Sequence, residues 1–447
     1  MQDIESPEIE EDKPVRPFAI LWGGQAASLF GTRIVRFALV WWITDITGSA
    51  TVLALATIMA LLPQVFVAPF AGSYVDRWSR RKTMIVADWL IAMTVLVLSF
   101  LFATGLIEIW HVLAMMFIGS VFGSFHFPAM QASTTMMVPR KHLGRIGGMN
   151  QALNGASNIV APPIGAVLYV LLPMQNILLI DVSTAAFAIL CLAIIAIPQP
   201  KRKEELGQPS VLGDMREGFA YLKKWRAGMI LIIVAMMLNF LSAPAFSLSP
   251  ILVSSHFLGG EIELAILQSF GAIAMVIGAV LLTIWGGGRR KIITILIALV
   301  LEGVGTLLIG LVPSDAFIMA IVFYAFVNFL NPIINGVLIA IMQATIPPEK
   351  QGRVFALIMS GATAMMPIGL AIAGPLADLY GVPFWFLISG VGTIIISIAA
   401  FFSSELRRIE EYAKSGEELE EISSQQIIDP VETEVNDVDG EESDFNF

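Results

Sequence analysis

Lys and Arg fall on one set of alternate connections between long apolar segments, and this alternation fixes both the number of crossings and their direction. Twelve apolar segments start near Pro17, Ala50, Thr83, Trp110, Gly144, Asn176, Ala227, Glu263, Ile292, Phe317, Gly352 and Pro383. Of 26 Lys and Arg residues, Arg33 and Arg36 lie inside the first segment; the other 24 occupy the ends of the chain or connections two-three, four-five, six-seven, eight-nine and ten-eleven. The connections near Thr47, Gly105, Pro173, Gly259, Pro313 and Gly381 carry none. Because translocation of Lys and Arg is disfavoured, the basic connections read as cytoplasmic. Twelve crossings then place both termini in the cytoplasm of a multi-pass cell-membrane protein, with the lipid bilayer as its solvent.

Most segments run about 20–30 residues, enough to cross a ~30 Å hydrocarbon core. At 56% hydrophobic and 14% charged, the chain lies far from a soluble domain, which carries about 25% charged residues. The net charge of -10 belongs to the ends: residues 1–16 hold six acidic groups and residues 405–447 hold fifteen. The expected division is an acidic N-tail at 1–16, a six-helix bundle at 17–197, a cytoplasmic linker at 198–226, a second bundle at 227–404 and an acidic, disordered C-tail at 405–447. The first apolar stretch follows an acidic leader and is long enough to span, so it is expected to stay as a span and not to be a cleaved signal. Cys191 stands alone, which excludes a disulfide framework and points to packing.

Two loops indicate duplication. Val138-Pro-Arg-Lys-His-Leu-Gly-Arg-Ile146 matches Ile346-Pro-Pro-Glu-Lys-Gln-Gly-Arg-Val354 at a shift of 208. Arg80-Arg81-Lys82 recurs as Arg289-Arg290-Lys291 at a shift of 209. A common shift from distant loops indicates a repeated six-helix unit. Within the linker, residues 211–226 alternate Leu212, Met215, Phe219 and Leu222 with charged groups, the pattern of a surface-lying amphipathic helix.

The second segment ends Gly72-Ser-Tyr-Val-Asp76-Arg77-Trp-Ser-Arg80-Arg81-Lys82. This resembles the Gly-x-x-x-Asp-Arg-x-x-Arg-Arg signature of the major facilitator superfamily, in the loop and orientation where that family carries it. The resemblance implies a gate in which Gly72 lets two helices approach while Asp76, with Arg77, Arg80 and Arg81, holds one access state closed. A carboxylate beside arginines pairs strongly in a partly dry setting, and such a pair can break and reform between two states. The second-half copy keeps the basic triplet and lacks the Asp.

Segment five carries Ser157-x-x-x-Ala161-Pro162-Pro163-Ile164-Gly165. It resembles the superfamily's Gly-x-x-x-Gly-Pro-x-x-Gly-Gly antiporter motif, with Ser and Ala replacing Gly. Small residues four apart permit close contact, and proline bends a helix whose carbonyls neighbours can satisfy. Trp41-Trp42 with Thr47-Gly-Ser-Ala50, Ile180-Asp181, Gly352-Arg353-Val354-Phe355 and Gly374-Pro-Leu-Ala-Asp378 extend the likeness to the macrolide-efflux branch, whose relatives include siderophore exporters. Arg33 and Arg36 depart from that pattern.

The resemblance implies an all-α membrane protein of twelve transmembrane helices in two pseudo-symmetric six-helix halves, working by alternating access as a monomer. It also implies a central cavity lined by segments one, four, seven and ten. Polar groups at helical spacing on those segments are Gln25 and Thr32; His126 and Met130; Asn239 and Phe246; and Asn328, Asn331 and Asn335. Such groups are costly in lipid and are expected to face a wet interior or to join helices. Asp181 and Glu302 are the carboxylates well inside spans, and a carboxylate there can hold and release a proton. Arg33 and Arg36, one turn apart, require a partner: Asp181 is the expected one for Arg36, and an anionic ligand is the alternative.

No phosphate-binding Gly-x-x-x-x-Gly-Lys-Ser/Thr loop, His-Glu-x-x-His, cysteine pair or Gly-x-Ser-x-Gly element occurs, so ATP chemistry, a metal site and hydrolase activity lack residues. The basic loops suit anionic lipid headgroups and not nucleic acid. The expectation is proton-driven export of an amphipathic, macrolide-like small molecule, with no cofactor beyond the proton gradient and no enzymatic activity. The alternatives are export or flipping of an anionic amphiphile such as a siderophore or lysophospholipid, and a transport-dead sensor acting through its acidic tail.

Overall fold

The computed structural model describes residues 15–75, 78–198, 223, 225–407 and 409. Asp76 and Arg77, most of the linker with its expected amphipathic helix, and both acidic tails lie outside the described residues. Among the described residues the chain is helical throughout, in long helices: α1 (Val15–Thr47), α2 (Ala50–Phe66), α3 (Ala68–Val75), α4 (Arg80–Thr104), α5 (Ile109–Met137), α6 (Leu143–Leu171), α7 (Met174–Ile194), α8 (Arg226–Ser247), α9 (Glu261–Trp285), α10 (Lys291–Leu311), α11 (Phe317–Thr345), α12 (Pro348–Tyr380) and α13 (Val382–Phe402).

Among the described residues, ten helices are long and apolar enough to cross a membrane. The other two crossings differ for physical reasons. The second segment is two helices, α2 and α3, parted at Val67; Pro69 has no N–H to continue the ladder. The fifth, α6, is 29 residues long but carries Arg145, Asn150, Asn154 and Asn158, which lower its hydropathy and mark it as a helix facing protein and water. The result is a multi-pass, all-helical membrane fold.

The packing repeats with a period of six crossings. In the first half α1 packs on α6 and α7, α4 on α5 and α7, and α2 on α5. In the second half α8 packs on α12 and α13, α10 on α11 and α13, and α9 on α11, which are the same pairings six crossings later. Two further pairs join the halves, α2 with α12 and α6 with α9, and each is the other's symmetry mate.

Glycine sets how closely these pairs approach. A Cβ on Gly278 of α9 would lie 2.1 Å from the Phe329 carbonyl oxygen of α11, and one on Gly369 of α12 would lie 2.3 Å from that of Phe240 in α8. Backbone cannot yield as a side chain can, so Gly278→Ala is expected to cost roughly 1–3 kcal/mol by overpacking. The check is the thermal unfolding midpoint of purified protein in detergent; an unchanged midpoint would mean that α9 and α11 are not in such contact.

The two ends of the bundle differ. At the end that lacks Lys and Arg, one buried apolar cluster crosses both halves, from Trp41, Ile43 and Leu53 to Leu264, Leu370 and Phe386. At the basic end the clusters separate by half: Phe18, Leu21, Met84 and Leu192 on one side, Ile292, Leu296, Ile333 and Ile341 on the other. Gly144, Gly148 and Gly352, on the inter-half helices α6 and α12, face open space there. The halves are therefore closed together at the basic-free end and parted at the basic end.

Candidate functional site

Where the halves begin to part, α1, α6, α9 and α11 enclose a cavity of about 330 Å³. Its wall includes Arg33, Arg36, Ser157, Asn158, Ala161, Pro162, Gln268, Met275, Tyr324 and Asn328. Arg36 exposes its side chain to this space, while protein surrounds it on most sides. Among the described residues, no carboxylate lines the wall.

The two arginines are held differently. Arg33 is half-buried and reaches α6, where Nη1 donates to Asn158 Oδ1 and Nη2 to Asn154 Oδ1 at 3.0 Å; its buried Nε has no partner. Asn150, one turn earlier on α6, accepts from Trp22 Nε1 at 2.7 Å. Asparagines at positions 150, 154 and 158 thus form one stripe along the face of α6 that meets α1. Arg36 is not hydrogen-bonded to Asp181, although that carboxylate is near enough to act on its charge. Asp181 instead accepts from Thr32 Oγ1 at 2.7 Å and is 4% exposed.

A second polar group lies nearer the basic end. Asp88 of α4 accepts from Gln25 Nε2 at 3.0 Å and lies 3.2 Å from His126 Nε2. Gln25, Thr32 and Arg36 share one face of α1 by helical spacing and rise over about 16 Å. That face connects, in order, Asp88 with His126, then Asp181, then the cavity.

Proline shapes α6. Pro163 has no N–H, so the Ile159 carbonyl loses its intrahelical donor, and Ser269 Oγ of α9 donates to it from the other half at 2.9 Å. A Cβ at Gly165 would meet Phe37 at 2.8 Å and the Ile34 oxygen at 3.1 Å, so its absence lets α6 press on α1. Ser157 is fully buried, and its hydroxyl has no partner in the protein.

Of the other expected cavity residues, Asn328 is on this wall, and Met130, Asn239, Phe246, Asn331 and Asn335 lie off it. Met130 packs against the basic-end core of the first half, and Phe246 packs on Tyr324 with ring centroids 5.5 Å apart. Asn239 and Asn328 donate to backbone oxygens of their own helices, at Ala235 and Tyr324; Asn335 donates to the Asn331 backbone oxygen and side chain. Glu302 is buried on α10, in the helix layer of α11 and α13 away from the cavity. Gly72 on α3 has open space beside it. Arg80 donates to the Ala132 oxygen at 3.1 Å, and Arg81 to the Leu192 oxygen at 2.8 Å and to that of Ala193, capping the C-terminal end of α7.

Comparison with known proteins matches this architecture. Residues 21–363 and 229–431 match the model of the Major Facilitator Superfamily. Macrolide efflux protein A of Streptococcus pyogenes is 34% identical over 393 residues, covering 88% of this chain and 97% of the relative. The multidrug efflux pump Tap of Mycolicibacterium fortuitum is 26% identical over 403 residues, covering 86% and 95%. Among solved structures, a bacterial homolog of the human lysosomal transporter Spinster, in an inward-facing and unoccupied conformation, superposes with a TM-score of 0.68 at 12% identity, over 90% of this chain and 98% of that one.

Proposed function

This chain belongs to the Major Facilitator Superfamily and is an efflux transporter, and from that premise we propose that it extrudes amphipathic, macrolide-like small molecules by alternating access coupled to inward proton movement. One observation carries the reading: a cavity between two six-helix halves that are closed at one end and parted at the other. The Lys and Arg distribution supports placing the parted end in the cytoplasm, where substrate enters. Rocking of the halves about the α2–α12 and α6–α9 pairs would expose the same cavity to the outside.

Proton coupling is supported by the polar face of α1, which leads from Asp88 and His126 through Asp181 towards Arg36. The macrolide-like substrate is supported by the relatives' names, and the aromatic and thioether groups of Phe37, Tyr324 and Met275 suit a pliable apolar ligand. In inverted vesicles, an imposed pH gradient should drive accumulation of a radiolabelled macrolide, and collapsing the gradient with ATP present should abolish it. Uptake that survives collapse, or that follows sodium alone, would end the proton reading.

A second reading concerns substrate charge. Two arginines and no carboxylate on the cavity wall favour an amphiphile bearing an anionic group. A screen of matched cationic, neutral and anionic amphiphiles for competition with efflux decides between the two.

A further inference from the structure

The α2–α12 pair is antiparallel, and the same spacing, Gly-x-x-x-Asp, ends both of its members. Gly72 and Asp76 end the second crossing at the basic end; Gly374 and Asp378 end the eleventh at the other. The two copies stand in opposite conditions. A Cβ on Gly374 would lie 2.9 Å from Thr51 Cα and 3.0 Å from Ala54 Cβ, so α12 and α2 are in backbone contact at the closed end. Gly72, at the parted end, meets nothing within 4 Å.

At the closed end Asp378 reaches across the two halves onto the N-terminus of α2. Its Oδ1 accepts from Ala50 N at 2.6 Å; its Oδ2 accepts from Thr51 N at 3.0 Å, Ser49 Oγ at 2.9 Å and Thr51 Oγ1 at 2.5 Å. A carboxylate there satisfies N–H groups that have no intrahelical partner and meets the positive end of the helix dipole. The cap of this helix is thus shared between Ser49 and a residue of the opposite half. Ser49, the residue at the local cap position, donates to the same carboxylate while its oxygen accepts from Val52 N at 3.3 Å. Asp378 is exposed to water, which keeps each bond weak enough to break when the ends part.

We propose that Asp378 is a gating residue that holds the outer end closed by capping α2 across the halves, while the corresponding glycine at the inner end, Gly72, stands free of contact. The proposal rests on the alternating-access reading.

The test is a distance measurement on purified protein in lipid nanodiscs, with Cys191 replaced by Ala and spin labels on I46C with L258C at the outer end, or G148C with G352C at the inner end. D378N is expected to raise the outer-open population about fivefold or more, lengthening the first distance and shortening the second. S49A with T51V, which removes two donors and leaves the carboxylate, is expected to move both distances the same way by less. D76N should move neither towards outward opening. Unchanged distances in both D378N and S49A/T51V overturn the proposal, as does a change confined to one end. If D378N fails to fold, S49A/T51V decides alone. The measurement uses no substrate and no proton gradient, so it can fail while efflux stands, and efflux can fail while it stands.

Discussion

Asp181→Asn is expected to reduce proton-driven efflux by about 100-fold or more, the scale on which removing a positioned proton-exchanging group acts. Asp181 is buried, held by Thr32 and close to the charge of Arg36 on the cavity wall. Asparagine keeps the shape and still accepts from Thr32, so folding and ligand binding should survive. The distinguishing assay is counterflow, in which loaded and external substrate exchange with no pH gradient. Exchange near the wild-type rate together with lost proton-driven uptake marks a coupling residue. Lost exchange as well would make Asp181 part of the binding or folding machinery, and proton-driven uptake near normal would move coupling to Asp88 and His126.

Arg36→Glu is expected to reverse the charge preference of the cavity. Arg36 faces the cavity and shares no hydrogen bond with Asp181, but that buried carboxylate feels its charge, so glutamate adds repulsion and some loss of yield, for which Arg36→Gln is the control. Two unit charges 4 Å apart at an effective dielectric of 20 interact by about 4 kcal/mol, so reversing one should change the affinity ratio of anionic to cationic analogues by at least ~10-fold. Binding of a matched pair of analogues, followed by tryptophan fluorescence quenching, checks it. A collapse in yield would mean that Arg36 supports the helix packing, and an unchanged ratio would place the ligand elsewhere in the crevice.

The crossings were legible because Lys and Arg alternate with apolar runs, which is chemistry local to each loop. The duplication was legible in the loops near Arg145 and Arg353 because equivalent loops repeat their residues. The cavity was less so. The family resemblance pointed to segments one, four, seven and ten, whereas the wall around Arg36 is completed by α6 and α9. There Asn158 sits within a proline motif that reads as a bend, and Gln268 is the one amide of a largely apolar helix. Asp88 carried no local signal, because its partners Gln25 and His126 are brought to it from two other helices by tertiary packing. Asp378 stood in a recognisable stretch, but the groups that define its function are 327 to 329 positions away in the sequence. Contacts across the halves leave no local trace in hydropathy or periodicity.

The interruption at Val67 is slight: its N–H still donates to the Pro63 oxygen at 2.7 Å, and its oxygen still accepts from Ala71 N at 2.9 Å. From Ala50 to Val75 the second crossing is therefore close to one lever of about 39 Å. Such a lever works as a seesaw in the proposed cycle. While Asp378 grips its outer tip, the inner tip carrying Gly72 stands away from its neighbour, and the inner door can shut only as the outer one is released.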